Sequence, residues 1–280
     1  MPMPPRMQLL KWIGNKQRFA PEITSYFPKQ FDTYFEPFLG SGAVLATLAP
    51  ERAIASDMFA PLMEIWRTLH DDPDKLKDWY ASRWEEMQAG EKVEVYEQIK
   101  ARYNAQPNGD DLLFLSRTCY GGVVRFRKRD GYMSTPCGPH APIRPETFAA
   151  RVDLWHDRTQ GAKFERLDYR EALALAGDGD VVYCDPPYSD TQAILYGAQS
   201  FRLAELFETI AAAKERGAFV ALSIDGTKKS GNHVCDVAIP HGLFEREVLI
   251  DVGRSMLKRF QMEGRSLEKH VVSDRLLLTH

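Results

Sequence analysis

The sequence predicts an α/β fold, a doubly wound parallel sheet carrying an inserted, mostly helical subdomain. Three observations predict it. The runs DTYFEPF, RAIAS, DVVYC and AFVALSI are near-continuously apolar at their centres, as strands covered by helices on both faces are. They alternate with helical patterns such as RLAELFETIAAAKERG, which ends on Gly217 as helix C-termini often do. Between Pro61 and about Arg158 the alternation stops, and stretches such as DKLKDWYASRWEEMQ and VEVYEQIKARYN follow one another with no buried strand between them. The expected division is a sheet domain from 1–60 and 159–280 and an insertion from 61–158.

The start, MPMPPRMQLLKWIGNK, lacks the apolar stretch and small-residue cleavage site of a secretory signal. No apolar run approaches the roughly 18 residues of a membrane span, so a cytoplasmic protein with no membrane contact is expected. Cys119, Cys137, Cys184 and Cys235 form no C-x-x-C pair, and the histidines show no ligand spacing, so no metal is expected. The net charge of −3 argues against a generally basic nucleic-acid binder but leaves a local basic face open.

The first strand ends near Glu36 in YFEPFLGSGAV, where Gly40 and Gly42 precede a small-residue helix start. Glycines let the backbone turn tightly and approach a ligand, and a helix start presents unsatisfied N–H groups; a tight connection alone would read the same way. The second strand ends in IASDMF, with Asp57 at its tip. An acidic residue about 20 positions past such a loop is the usual partner of a ribose diol, and a cap for a helix starting near Phe59 is the alternative.

Inside the insertion, CYGGVVRFRKRDGYMSTPCGPH (119–140) reads as a hairpin turning at Asp130-Gly131, with Arg125, Arg127, Lys128 and Arg129 near its tip. The tryptophans at 66, 79, 84 and 155 sit in helical patterns and read as core. Cys137 reads as a small structural hydrophobe.

The stretch GDGDVVYCDPPYSD brings Asp185 out at the carboxyl end of a buried strand, where open α/β sheets bind ligands. Pro186 and Pro187 have fixed φ and no N–H, so the Pro186 carbonyl is held beside the carboxylate. Tyr188 adds a face on which a planar base can stack. Two aimed acceptors and a ring fit the exocyclic amine of a heterocycle. Accepting both its N–H bonds favours localising its lone pair toward an electrophile such as a methyl sulfonium. Cys184, one residue earlier on the strand, points to the opposite face. The C-terminal KHVVSDRLLLTH reads as a last strand or hairpin closing the sheet.

Taken in order, LLKWIGNK, FEPFLGSGAV, CYGGVVRFRKRDGYMSTPCG and DVVYCDPPY resemble the motifs of the Dam-type N6-adenine DNA methyltransferases over nearly the whole chain. The resemblance implies a Rossmann-like, S-adenosylmethionine-dependent methyltransferase sheet with a target-recognition insertion, double-stranded DNA as partner and an adenine flipped from the duplex. It assigns Trp12 and Lys16 to an N-terminal cofactor-binding motif, with Glu36, Phe38, Gly40, Gly42 and Asp57 around S-adenosyl-L-methionine. Through KFERLDYREA it sets Asp168 and Tyr169 near the cofactor base. It makes Asp185, Pro186 and Tyr188 catalytic, Asp185 also lying near the cofactor, and gives Arg125, Arg127, Lys128 and Arg129 to DNA. A separate restriction endonuclease acting on the same site is a further implied partner. Where many relatives that read a site beginning with GA have a sequence like F-N-V-P-F-G, this chain has YMSTPCG, so the target sequence stays unassigned. Two other readings remain at this point: a methyltransferase acting on an RNA base or a protein glutamine, and an inactive DNA-binding regulator on the same fold. Against them stand the carboxylate of Asp185, where the glutamine enzymes carry Asn, and the intact loop.

Overall fold

The computed structural model describes residues 5–187, 201–225, 227–228, 233–234, 238–253 and 272–280. The sheet strands are β1 (Tyr34–Glu36), β2 (Ala53–Ser56), β3 (Ala162–Glu165), β4 (Val181–Cys184), β5 (Phe219–Asp225), β6 (Arg246–Gly253) and β7 (Val272–Leu278). They are ordered β3-β2-β1-β4-β5-β7-β6. The first five are mutually parallel, and β7 runs antiparallel to both β5 and β6. The strand order reverses between β1 and β4, the place where ligands enter sheets of this kind.

The alternation of side chains along each strand explains why the sheet holds two apolar layers. Tyr34, Val181, Tyr183, Leu276 and Leu278 pack to one side, and Phe35, Val182, Cys184, Leu222 and Leu277 to the other. Cys184 thus faces away from the layer that holds Tyr183, as its position on the strand predicts. The C-terminal run forms a strand as expected, but it does not close the sheet at an edge. Residues Leu276, Leu277 and Leu278 are all buried because β7 is inserted between β5 and β6, covered on both faces.

The helices of the chain are α1 (Ala20–Ser25), α2 (Ala43–Leu48), α3 (Ala60–Asp71), α4 (Pro73–Ala89), α5 (Lys92–Ala105), α6 (Gly109–Thr118), α7 (Pro145–Arg158), α8 (Tyr169–Leu175) and α9 (Leu203–Glu215) among the described residues. In the stretch that lacks strands, local caps start the helices. Asp72 accepts the Lys75 N–H before Pro73 opens α4, Glu91 caps α5, and Asn108 accepts the Asp111 N–H at the start of α6. Asp111, fully buried, is paired with Arg83 at 3.0 Å and Arg102 at 2.7 Å, which ties α4, α5 and α6 together. These helices share one apolar cluster with the sheet face bearing Tyr34 and Val181. Trp66 and Trp155 lie inside it and Trp79 and Trp84 pack against it, so all of them serve the core.

The segment expected to be a hairpin is an antiparallel ribbon, but a sparse one. Bridges pair Cys119 with Cys137 and Phe126 with Met133, and few backbone bonds join the arms, among them Arg127 N–H to the Tyr132 carbonyl at 2.9 Å. Gly121 and Gly122 both have positive φ, so the arm bends after α6 instead of continuing as a regular strand.

Candidate active site

Three strand ends meet at the reversal point. Glu36 ends β1, Asp57 follows β2 and Asp185 follows β4. Together they border a cavity of about 720 Å³ that Trp12, Lys16, Phe38, Gly40, Asp168, Tyr169, Pro186 and Pro187 also line.

The loop after β1 is built by packing as much as by sequence. Gly40 has φ +48°, and a β-carbon there would stand 3.3 Å from Trp12 Cδ1. Its carbonyl accepts the Trp66 indole N–H at 3.2 Å, and its own N–H reaches Asp57 Oδ2 at 3.2 Å. Asp57 Oδ1 accepts the Phe59 N–H at 3.0 Å. The carboxyl group sits among protein atoms, and that desolvation raises its pKa against the opposing pull of the Phe59, Gly40 and Met58 N–H groups. Asp57 is therefore both the tie before α3 and an acceptor at the cavity wall. Gly42 is the residue of the loop that does not line the cavity. It turns the chain at φ +61° and abuts Trp66, where a β-carbon would lie 2.7 Å from the indole, so its requirement is one of packing.

Glu36 is buried and accepts the Tyr34 hydroxyl at 2.7 Å. Burial pushes its carboxyl up to about 8, with the negative charge of Asp185 adding to the rise and the Tyr34 bond opposing it. Lys16, also buried, lies 3.1 Å from Asp185 Oδ1 and 3.1 Å from Asp274 Oδ2. Burial alone would lower its ammonium pKa; the two carboxylates outweigh that and raise it.

At the far end of the cavity, Phe38 stacks on Tyr169 with centroids 5.3 Å apart, and Phe201 meets both edge-on. The buried Tyr169 hydroxyl has no hydrogen-bond partner among the described residues. Asp168 caps α8 in a reciprocal capping box with Glu171. It also grips Arg170 at 2.7 and 3.1 Å, and that hydrogen-bonded guanidinium holds its carboxyl below the ordinary range.

The insertion supplies the remaining wall. Phe126 meets Phe59 edge-on at 5.4 Å, and Asp130 and Tyr132 of the ribbon border the cavity with Tyr103 and Asn104 of α5. The Asn104 amide pairs with the Met133 backbone in both directions, at 2.6 and 3.1 Å, and clamps the ribbon to α5. At the tip, Arg127 holds Asp130 at 3.1 Å and lies 4.1 Å over the Tyr132 ring; Arg129 shares Asp130. Arg125, Lys128 and Arg129 are exposed.

Residues 12–239 match the model of the D12 class N6 adenine-specific DNA methyltransferases. The chain belongs to this family. Within it, the chain is 31% identical over 207 residues to the DNA adenine methylase of Salmonella typhi, covering 70% of this chain and 71% of that one. It is 28% identical over 236 residues to the DNA adenine methylase of Vibrio cholerae, covering 76% and 79%. It is 25% identical over 234 residues to the type II methyltransferase M1.LlaDCHI of Lactococcus lactis subsp. cremoris, again covering 76% and 79%. Among solved structures, the rRNA methyltransferase aviRa of Streptomyces viridochromogenes aligns over 94% of this chain and 83% of its own at 14% identity, with a TM-score of 0.38, too slight a likeness to carry an argument. Membership in the D12 class sets aside the RNA-base and protein-glutamine readings, since the family is adenine-specific and acts on DNA.

For this D12 methyltransferase, the described residues singled out from the sequence as functional line one cavity, with the exceptions of Gly42 and of Arg125, Arg127, Lys128 and Arg129 of the ribbon. Tyr188 lies outside the described residues, as do parts of LSIDGTKKSG and most of GRSMLKRFQ. Sequence reasoning missed Asp274, Asn104 and Tyr132. Asp274 had one signal: it is a lone acidic residue in the apolar run VVSDRLLL. No helix among the described residues is long and apolar enough to cross a membrane.

Proposed function

We propose that this chain transfers the methyl group of S-adenosyl-L-methionine to the exocyclic amine of an adenine flipped out of a specific site in double-stranded DNA. The observation that carries this reading is Asp185. It leaves β4 straight into Pro186-Pro187 at the strand-order reversal and borders the same cavity as the glycine loop and Asp57.

The residues present suit the cofactor. Gly40 keeps open a space that a β-carbon would close against Trp12. Asp57 offers acceptors for a ribose diol at the end of the second strand, and the unpartnered Tyr169 hydroxyl beside Phe38 offers a purine a ring and a donor. Trp12, Lys16, Glu36, Asp168 and Asp185 complete the cofactor side, and Gly42 shapes the loop from behind. When bound, S-adenosyl-L-methionine supplies a methyl group on a positively charged sulfur.

Asp185 and the Pro186 carbonyl accept the two N–H bonds of the amine and aim its lone pair. S-adenosyl-L-methionine held there would supply the methyl group to that lone pair and keep the S–C electron pair, and the proton then surplus on the nitrogen would pass to Asp185 and on to water. Tyr188 is assigned the stacking face for the flipped base, which is out of reach while it remains in the duplex. Residues 1–60 and 159–280 form the catalytic domain in this reading. Residues 61–158 recognise the target, with Arg125, Arg127, Lys128 and Arg129 on phosphates and bases. The enzyme works in the cytoplasm, and a restriction endonuclease cutting the same site is its functional counterpart, a reading supported by the type II relative.

Incubation with methyl-labelled S-adenosyl-L-methionine and mixed-sequence duplex DNA, then digestion to nucleosides, is expected to give label in N6-methyladenine alone. Label in cytosine, or cofactor binding with no transfer to any duplex, would overturn the reading. The second result would indicate a DNA-binding regulator.

A further inference from the structure

Asp274 lies beyond the matched residues 12–239, on the one reversed strand of the sheet. Because β7 runs against β5, its first residues come to the carboxyl edge of the parallel strands, and Asp274 pairs there with Asp225, the last residue of β5. From that edge its Oδ2 accepts from Lys16 Nζ at 3.1 Å, while the same ammonium stands 3.1 Å from Asp185 Oδ1. The contact spans 258 positions of sequence, and both side chains are largely buried.

A buried ammonium held between two carboxylates from different elements has little freedom to turn, so Asp274 limits where Lys16 can stand and, through it, where the Asp185 carboxylate points. The lone pair of an amine bound to Asp185 is aimed only as well as that carboxylate is held.

We propose that Asp274 is a positioning residue for methyl transfer: it draws Lys16 into a seat shared by two carboxylates, which fixes Asp185 in the orientation that aims the amine. The proposal rests on the role assigned above to Asp185. Among the described residues, the titratable groups near Asp185 are Lys16 from the N-terminal segment, Glu36 from β1, Tyr183 and Cys184 from β4, and Asp274 across Lys16 from β7. Removing Asp274 takes away like-charge repulsion and one of the two carboxylates that share Lys16; both effects favour the Asp185 anion. The variant is thus expected to be slower and yet to keep its activity to lower pH, a combination that a loosened fold does not produce.

The test compares Asp274→Asn, Lys16→Met, their double variant and Asp185→Ala, using single-turnover methyl transfer over a pH series, calorimetric binding of S-adenosylhomocysteine and thermal melting. Asp274→Asn is isosteric and is expected to melt near the wild type and to bind S-adenosylhomocysteine within about threefold of it. Its methyl-transfer rate should fall about tenfold or more with little change in KM, and the acid limb of its rate profile should move to lower pH. Asp274→Glu, which keeps the charge, should recover part of the rate. In the Lys16→Met background, Asp274→Asn should cause no further loss, because its effect passes through Lys16. That comparison also decides the matter if Asp274→Asn alone melts too low to assay. A wild-type rate and pH profile for a folded Asp274→Asn, or a further tenfold loss in the Lys16→Met background, would overturn the proposal. Activity retained by Asp185→Ala would instead overturn the reading of Asp185, so the two failures are distinct.

Discussion

The carboxylate of Asp57 accepts the backbone N–H of Gly40 at 3.2 Å, so the end of the second strand holds the turn that follows the first. The same carboxylate takes the Phe59 N–H at 3.0 Å. Asp57→Ala leaves both donors without this acceptor and removes the proposed ribose contact. We expect a stability loss of about 1–3 kcal/mol by thermal melting and a dissociation constant for S-adenosylhomocysteine raised about tenfold or more by calorimetry. An unchanged dissociation constant would leave Asp57 as a loop tie only.

Asp185→Ala is expected to leave the fold and the cofactor site largely formed while losing methyl transfer by about 100-fold or more, because a charged contact made mainly in the transition state is typically worth about 2.7–4 kcal/mol. Single-turnover transfer from labelled cofactor measures this. More than about a tenth of the wild-type rate would refute the assigned role.

Gly42→Ala meets two obstacles at once, a left-handed φ of +61° and an indole edge 2.7 Å from the new carbon. Trp66 is fully buried and bonded to the Gly40 carbonyl, so it has little freedom to yield. The expected cost is about 2–4 kcal/mol in denaturant unfolding. A variant as stable as the wild type would show that the loop relaxes around the methyl group.

Glu36, ordinarily near 4.5, is pushed to about 8 in the folded protein. Between those values the unfolded chain is ionised at this position and the folded one is not. The group therefore favours folding most at low pH, and that contribution is lost as pH rises through about 8. Glu36→Gln removes the dependence. We expect the wild type to lose stability relative to Glu36→Gln between about pH 5 and pH 8 by a few kcal/mol in denaturant unfolding, since each tenfold difference in proton affinity is worth about 1.4 kcal/mol. Parallel stability curves for the two proteins would contradict the buried neutral carboxyl.

Single alanine changes at Arg125, Arg127, Lys128 and Arg129 are expected to divide into two kinds. Phosphate contacts weaken binding to all duplexes and reduce the salt slope by about one unit per charge, whereas an arginine on guanine costs about 1–3 kcal/mol at one base pair. At least one of the four should relax the recognised sequence. Binding to cognate and single-mismatch duplexes over a salt series separates the kinds, and four variants without effect would move the recognition surface elsewhere in the insertion.

What was legible in the sequence was local. Glu36, Gly40, Asp57 and Asp185 each sit at the end of an apolar run, and in a parallel sheet every such end falls on one edge, so strand ends alone predict the site. Asp274 broke that logic because β7 runs the other way and brings its beginning to the active edge, a reversal that no local pattern encodes. The packing reason for Gly42 lies 24 positions away in Trp66, and a glycine that meets a ligand reads the same as one that meets an indole. Asn104 sits near the end of a helix whose pattern predicts only that helix; its grip on Met133 depends on how the ribbon folds back.

The position of β7 also orders events during synthesis. Until residues 272–278 have been made, β5 presents an unpaired edge and β6 has no neighbour in the sheet, since both bond only through β7 among the described strands on that side. An emerging chain thus carries an open, apolar strand edge for as long as its last strand is missing, the kind of edge that invites pairing between molecules. The same strand brings the second carboxylate to Lys16. Closure of the sheet and the arrival of Asp274 at Lys16 are one event, and a chain interrupted before residue 272 is expected to be prone to associate and, on the role proposed for Asp274, slow in methyl transfer.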